Sequence, residues 1–501
     1  MQTLSRWASL LTVTTASPSN SSAGARIVWL AALLLLGAIT FAAFFYPVVR
    51  ISQYADINYN EGWNTYRADI AAHGDPLFGQ RPRFTVTNYP PLSFHIVGFV
   101  GRFMSGSTAA GRWISLLSLA FLAILIAALV RRFTGHWAPG IYGALLFGLG
   151  LAVLLPDRIG MNDPQLLGLA FSFAGFYLYA RNPRSTGLLC ASAAAFAISL
   201  FIKHNLLAFP AAVGLHMLIA RAWKPLAVWL ATLAAGSVAL LLLTFRLDGP
   251  YFLAHLLAPR GYSLLNAWFT TTPYLMEFQI LFAVALLWSA FYATAPMRSL
   301  LVIGFVLAHL LGFAFGGGDG VVQNVFFDAA LTVAIITALA VTDLESTFVN
   351  LRFGKALMLL ALLIPSLGML TLLPATMLQE HHARKIQLQT DAEFRQAVNF
   401  LRSRPGPALC EDLLLCYDAG KPPLFDAYYA HSQVISRHLN ETDVLDYIQT
   451  SRFPTIEITI PAGQPLLAEA AQRFTQPEMQ AILERYRPAV RTSEFALLIP
   501  K

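Results

Sequence analysis

Ile27-Val28-Trp29-Leu30-Ala31-Ala32-Leu33-Leu34-Leu35-Leu36-Gly37-Ala38-Ile39-Thr40-Phe41-Ala42-Ala43-Phe44-Phe45-Tyr46-Pro47 contains no Asp, Glu, Lys or Arg. A run of about 20 apolar residues is what a helix needs to cross a bilayer. Reading outward, similar stretches lie at 108–130, 137–155, 165–180, 187–202, 205–220, 225–244, 273–293, 299–315, 329–343 and 356–376. The expected architecture is therefore a polytopic α-helical membrane protein of about eleven spans. Composition agrees: 56% of residues are hydrophobic, only 12% are charged and the mean hydropathy is +0.57, far from globular averages.

Basic residues are retained on the cytoplasmic side of short loops. Arg6 and Arg26 precede the first span, and Arg131 and Arg132, Arg181 and Arg184, Arg221 and Lys224, Arg298, and Arg352 with Lys355 occupy alternate connections. The N-terminus is thus expected in the cytoplasm. The loops at 48–107, 157–163, 245–272 and 316–328, and everything after about residue 377, are expected outside. The formal charge of +7 is accounted for by cytoplasmic collars facing anionic membrane lipid, so no nucleic-acid partner is implied. Residues 1–26, rich in Ser and Thr, read as a disordered cytoplasmic tail.

After Pro374 the composition changes, with charges returning and hydrophobic runs shrinking to strand length. Residues 27–376 are read as the membrane module and 377–501 as a soluble extracytoplasmic α/β domain. Helices are expected near 391–402, 441–450 and 476–485, and strands near 408–411, 455–460 and 494–500. His381 and His382 are read as linker residues at its start. Cys410 and Cys416 admit two readings, a disulfide of an oxidising compartment or two small buried apolar side chains. Cys190, in a span, reads as structural.

Just outside the first span stands Asp56-Ile57-Asn58-Tyr59-Asn60-Glu61-Gly62-Trp63-Asn64, followed by Thr87-Asn88-Tyr89-Pro90-Pro91-Leu92. Carboxylates beside aromatic rings at a membrane boundary suit an enzyme that joins a lipid-borne substrate to a polar one. No Walker loop, dinucleotide fingerprint, zinc-protease motif or serine elbow is present, and Gly316-Gly317-Gly318-Asp319-Gly320 lacks the lysine of a phosphate loop and reads as a flexible turn. Sugar transfer from a lipid phosphate to a hydroxyl requires a base and groups that stabilise the departing phosphate. Asp56, Glu61 and Asp163 are the catalytic candidates; solvated loop acids are the ordinary alternative. The same three acids are the candidate ligands if a divalent metal (Mg or Mn) takes part.

Taken in order, Asn60-Glu61-Gly62-Trp63-Asn64, Tyr89-Pro90-Pro91-Leu92, Ser107-Thr108-Ala109-Ala110-Gly111-Arg112, Asn162-Asp163-Pro164 and Phe201-Ile202-Lys203-His204-Asn205 resemble the polytopic lipid-phosphate-sugar glycosyltransferases of the GT-C fold. That group (glycosyltransferase family 39-like) includes protein O-mannosyltransferase-like enzymes and the bacterial aminoarabinose transferase of lipid A. The chain departs from the pattern at Asn60, where relatives carry Asp, and at Tyr89, where some carry a basic residue. The resemblance implies a bacterial inner (plasma) membrane enzyme that moves a monosaccharide from a polyprenyl-phosphate donor to a glycan, lipid or protein acceptor. It places Lys203 near the lipid phosphate. Its single-displacement, inverting chemistry would use Asp56 or Glu61 as base, with Asp163 positioning acceptor or metal. Tyr59, Asn60, Trp63, Asn88, Tyr89, His204, Arg260 and Asn324 are the further substrate-binding candidates.

Two other classes compete. A transporter or flippase would carry ionisable groups at mid-membrane, where this chain has mainly His216 and His309, read either as hydrogen-bonded core residues or as residues near an interface. A non-catalytic assembly subunit is the third reading.

Overall fold

The computed structural model describes residues 23–80, 83–292, 297–348, 351, 353–451, 453–460 and 473–501. The expected tail lies outside these apart from its last residues, which open the first helix. That helix, α1 (Ala23–Val49), is followed by two short helices in the first long loop, α2 (Asn60–His73) and α3 (Leu92–Gly101). Next come α4 (Ser107–Thr134), α5 (Trp137–Leu154), α6 (Pro164–Arg181), α7 (Thr186–Ile202), α8 (Ala208–Ile219), α9 (Trp223–Leu247), a turn of helix α10 (Phe252–Leu256), α11 (Leu264–Tyr292), α12 (Arg298–Gly316), α13 (Phe327–Phe348) and α14 (Gly354–Leu363). Ten of the eleven apolar stretches each meet a single helix, and the stretch at 356–376 is divided between α14 and the helix that follows it. Among the described residues, eight helical stretches are long and apolar enough to cross a membrane. The stretches at 165–180, 187–202 and 205–220 are not among these eight, and the last two form helices shorter than a full span.

Close helix packing rests on small residues, as expected where lipid tails offer no hydrophobic drive. Ser192 Oγ donates to the carbonyl of Gly175 at 2.7 Å and Ser199 Oγ to that of Gly168 at 2.8 Å, fastening α7 to α6. Helix α13 is buried along nearly its whole length, from Phe327 to Val341, and forms the centre of the bundle. His216 and His309 are hydrogen-bonded core residues, held by Tyr179 (2.7 Å) and Tyr274 (2.9 Å).

Helix α15 (Leu367–Ser403) continues through Pro374 and across the expected domain boundary near 377 without a break. At about 1.5 Å per residue it is roughly 55 Å long, well beyond the ~30 Å of a bilayer core. It therefore belongs to the bundle at one end and the C-terminal domain at the other. That domain contains β1 (Ala408–Cys410), α16 (Leu413–Asp418), α17 (Ala427–Ile435), α18 (Glu441–Ser451), β2 (Thr455–Thr459), α19 (Gln476–Arg485), β3 (Tyr486–Arg491) and β4 (Phe495–Pro500). Its four-stranded sheet has the order β1-β2-β4-β3; β1 and β2 are parallel and the other pairs antiparallel. Cys410 and Cys416 form a disulfide, with Cα atoms 6.0 Å apart. Helices α16 and α17 and strand β3 were not anticipated: the first two are short, and Pro488 obscures the alternation of the third.

The first loop is clamped between bundle and domain. Asp391 Oδ1 accepts from the backbone nitrogens of Tyr54 (2.9 Å) and Ala55 (2.8 Å), Tyr66 donates to the Lys421 carbonyl (2.6 Å), and Phe84 packs on Phe425 and Tyr447 in the domain's core. Backbones approach closely at Gly62, where a Cβ would strike the main chain of Leu413 and Leu414.

Candidate active site

Asn58 turns the chain into α2 by accepting the Glu61 backbone N–H through its carbonyl at 2.9 Å, which puts Glu61 in the first helical turn with no solvent exposure. Two backbone donors, Ile57 (2.7 Å) and Asn162 (2.8 Å), meet its carboxylate, and Arg112 adds Nε to Oε1 at 3.0 Å and Nη2 to Oε2 at 2.6 Å. Arg112 spends its remaining N–H groups on the carbonyls of Ile51, Gln53 and Ala55. Glu61 and Arg112 are thus a fully paired clasp tying the first loop to α4 and to the connection before α6.

That connection supplies the next charges. Asp163 caps α6, accepting from the Gln165 N–H at 2.7 Å, and pairs with Arg158 Nη1 (3.0 Å) and Lys203 Nζ (3.6 Å). Burial works to raise its carboxyl, but Lys203 and Arg158 hold it below the ordinary value. Lys203 ends α7, is buried, and stands 4.4 Å over the Tyr89 ring. Arg158 Nε also lies 3.7 Å from Asp157 Oδ2, so two acids stand behind Lys203 and Arg158, and Arg260 brings a further positive charge. His204 is pushed down to about 4 by burial, Arg260 and Lys203, and is therefore neutral near pH 7. Its Nδ1 and the neighbouring Asn205 Oδ1 are buried without hydrogen-bond partners.

These side chains line a cavity of about 390 Å³ between the bundle and the C-terminal domain. Tyr59, Asn60, Trp63, Asn88, Tyr89, Lys203, His204, Arg260 and Asn324 all reach it. Asp56, Glu61 and Asp163 do not line it. Glu61 is consumed by Arg112, Asp163 stands behind Lys203 and Arg158, and partly buried Asp56 faces the domain, where burial and then the charges of Asp412 and Glu61 raise its carboxyl well above the ordinary value. The three acids expected to converge do not meet in the cavity, although Asp56 and Glu61 are near enough for their charges to interact. Among the described residues no group of three His, Cys, Asp or Glu side chains is arranged to hold a metal. This donor set does not fit a metal centre.

The cavity also contains residues the sequence reading did not single out for it. Arg158, Asn64 and Asn205 adjoin the motifs already quoted, whereas Glu411, Asp426 and Tyr428 arrive from the C-terminal domain. The only sequence cue to Glu411 was its position between Cys410 and Cys416. The glycine-rich turn is part of the wall and is pinned rather than loose: Asp319 N donates to the Gly261 carbonyl and Ser263 N to the Gly317 carbonyl, each at 2.9 Å. Gly320 has φ +73°, and a Cβ there would strike the Tyr428 hydroxyl, so both its backbone and its surroundings disfavour a side chain.

No protein-family model matches the chain. No curated protein matches it either. Two solved structures are similar over almost the full length of both chains: ArnT from Cupriavidus metallidurans in the apo state (12% identity, TM-score 0.61) and the same protein bound to undecaprenyl phosphate (13% identity, TM-score 0.60), each alignment covering 93% of this chain and 97% of the other. The bundle, the clamped first loop and the C-terminal α/β domain thus compose a GT-C-like integral membrane fold, the fold shared with ArnT.

Proposed function

We propose that the chain is an integral membrane glycosyltransferase that moves a monosaccharide from a polyprenyl-phosphate donor to an acceptor hydroxyl, by an inverting single displacement at the outer face of the membrane. The observation that carries this is the cationic wall of the cavity, Lys203, Arg158 and Arg260, held in part by buried Asp163. A phosphate leaving group gains negative charge as the glycosidic bond breaks, and preorganised cations stabilise that charge most in a site shielded from water. Neutral His204 is suited to donate or accept a hydrogen bond beside them. Tyr59, Trp63 and Tyr89, each covered on one side by a cation (Arg473, Arg67 and Lys203), offer their remaining ring surface to a sugar, and Asn60, Asn88 and Asn324 offer amides to its hydroxyls. The ArnT structure with undecaprenyl phosphate supports a lipid-phosphate partner.

The outer location rests on the alternation of basic loops and on the Cys410–Cys416 disulfide, which belongs to an oxidising compartment. On this reading the membrane module holds the donor and the C-terminal domain closes over the acceptor, a glycan, a lipid or a protein. The test is transfer of radiolabelled sugar from a panel of undecaprenyl-phosphate-linked donors in membranes bearing wild type or Lys203→Ala at matched expression. Labelled product that depends on Lys203 is expected; a wild type that turns over no donor rejects the reading.

A further inference from the structure

The cations lining the cavity come from the membrane module, whereas Glu411 and Asp426 come from the C-terminal domain. Asp426 has a structural task, since its Oδ1 accepts from the Tyr429 N–H at 3.0 Å and caps α17. Glu411 is placed differently. It follows β1 directly, inside the ring closed by the Cys410–Cys416 disulfide, and is 3% exposed. Its Oε2 accepts from the Thr459 N–H at 2.8 Å, which fixes the carboxylate. Its Oε1 has no hydrogen-bond donor; Arg473 Nη1 lies 3.6 Å away, near enough for charge attraction. Arg473 in turn covers the Tyr59 ring at 4.1 Å, so this corner also touches the first loop. A buried carboxylate oxygen without a donor is costly unless a ligand brings one.

We propose that Glu411 is the carboxylate that meets the acceptor, its Oε1 receiving first the hydrogen bond and then the proton of the acceptor hydroxyl. This rests on the sugar-transfer reading above. The acceptor O–H bond breaks and its proton passes to Glu411. The acceptor oxygen bonds to the anomeric carbon, and the bond from that carbon to the phosphate oxygen breaks. Its electron pair leaves on the polyprenyl phosphate, beside Lys203 and Arg158. The earlier candidates Asp56 and Glu61 do not line the cavity, and Glu61 has every carboxylate contact already filled.

The electrostatics suit the role. Burial pushes the Glu411 carboxyl up to about 7, against the pull of Arg473 and the Thr459 N–H. The other groups facing it are Glu457 on β2, Asp412 next in the chain, and Tyr59 beyond Arg473. A base that titrates close to the working pH combines an ionised fraction with real basicity.

The experiment uses the full-length chain in nanodiscs, with undecaprenyl phosphate as the binding probe and radiolabelled undecaprenyl-phosphate-linked sugars as donors to membrane acceptors. Glu411→Gln is expected to bind undecaprenyl phosphate within about two-fold of wild type, which also reports that it folds, while kcat falls by about 100-fold or more. The rise of kcat through about pH 7 should disappear from its residual activity, and Glu411→Asp should keep that rise and recover part of the rate. Glu411→Gln turnover within about three-fold of wild type overturns the proposal, as does loss of undecaprenyl phosphate binding together with turnover, since a base contacts no phosphate. A wild type that neither binds undecaprenyl phosphate nor transfers sugar instead rejects the sugar-transfer reading, and the proposal falls with it.

Discussion

Glu61 and Arg112 form a buried pair in which both carboxylate oxygens are contacted and every guanidinium N–H has an acceptor. Desolvating two charges is offset only by such complete pairing, and removing one partner strands the other. Glu61→Gln is therefore expected to lower stability by about 3–5 kcal/mol, measured by thermal or denaturant unfolding in detergent. A variant that melts like wild type yet loses sugar transfer would return Glu61 to a chemical role.

Gly62 is the point at which α2 meets the backbone of α16. A methyl group there must push the C-terminal domain away or shift the helix, and neither neighbour is a flexible side-chain end. Gly62→Ala is expected to cost about 1–3 kcal/mol and to increase proteolysis between the bundle and the domain. Unchanged protease resistance and melting would show that the contact yields more easily than its geometry suggests.

Long apolar stretches were readable because a span has a single requirement, sustained hydrophobicity, and all eleven are largely helical, although that at 356–376 is divided between two helices. The cavity's membrane-side residues were readable because Tyr59, Trp63 and Tyr89 stand among acids and amides in the first long loop and Lys203 ends an apolar stretch, where aromatic and basic residues are informative. Roles were harder. Glu61 looks like any loop acid until Arg112, distant in sequence, is seen beside it. Glu411 reaches the cavity only through the tertiary docking of the domain, which no local pattern announces. The boundary near 377 follows a real change in composition, yet one helix carries the chain through it.

Behind Glu411 lies a buried acid cluster. Burial raises Asp412 and Glu411 to about 7 and Glu457 to about 8, with the charge of Glu457 adding repulsion at Asp412 and that of Glu411 adding it at Glu457. Unfolded carboxyls titrate near 4, so between about pH 4 and 8 the native state binds more protons than the unfolded chain. Their contribution to stability is therefore fully present below about pH 4 and is lost progressively as pH rises to about 8. The C-terminal domain should melt higher at about pH 5 than at about pH 8, and Glu457→Gln should flatten that dependence. A wild-type midpoint that rises with pH over this window would contradict it.

The disulfide closes the small ring that carries Glu411 and Asp412. For a loop this short, the chain-entropy account gives about 2 kcal/mol, so Cys410→Ser or reduction should lower the unfolding free energy by roughly that amount. Because Oε2 of Glu411 is independently held by Thr459, undecaprenyl phosphate binding should persist in the reduced protein. Loss of that binding on reduction would mean the ring also supports the phosphate side of the cavity.

Asp163 and Lys203 act as a unit in which the acid aims the cation. Lys203→Ala removes a charge-assisted contact worth about 1.5–3 kcal/mol, and undecaprenyl phosphate should bind about 10- to 150-fold more weakly. Asp163→Asn keeps the cap on α6, since the amide oxygen can still accept from Gln165, but releases Lys203 and Arg158 from their shared anchor. Its effect on binding should be smaller and should vanish in a Lys203→Ala background to the extent that Asp163 works through Lys203. Titrating undecaprenyl phosphate against the single and double variants measures this coupling. Strict additivity would assign Asp163 to Arg158 and to the helix cap alone.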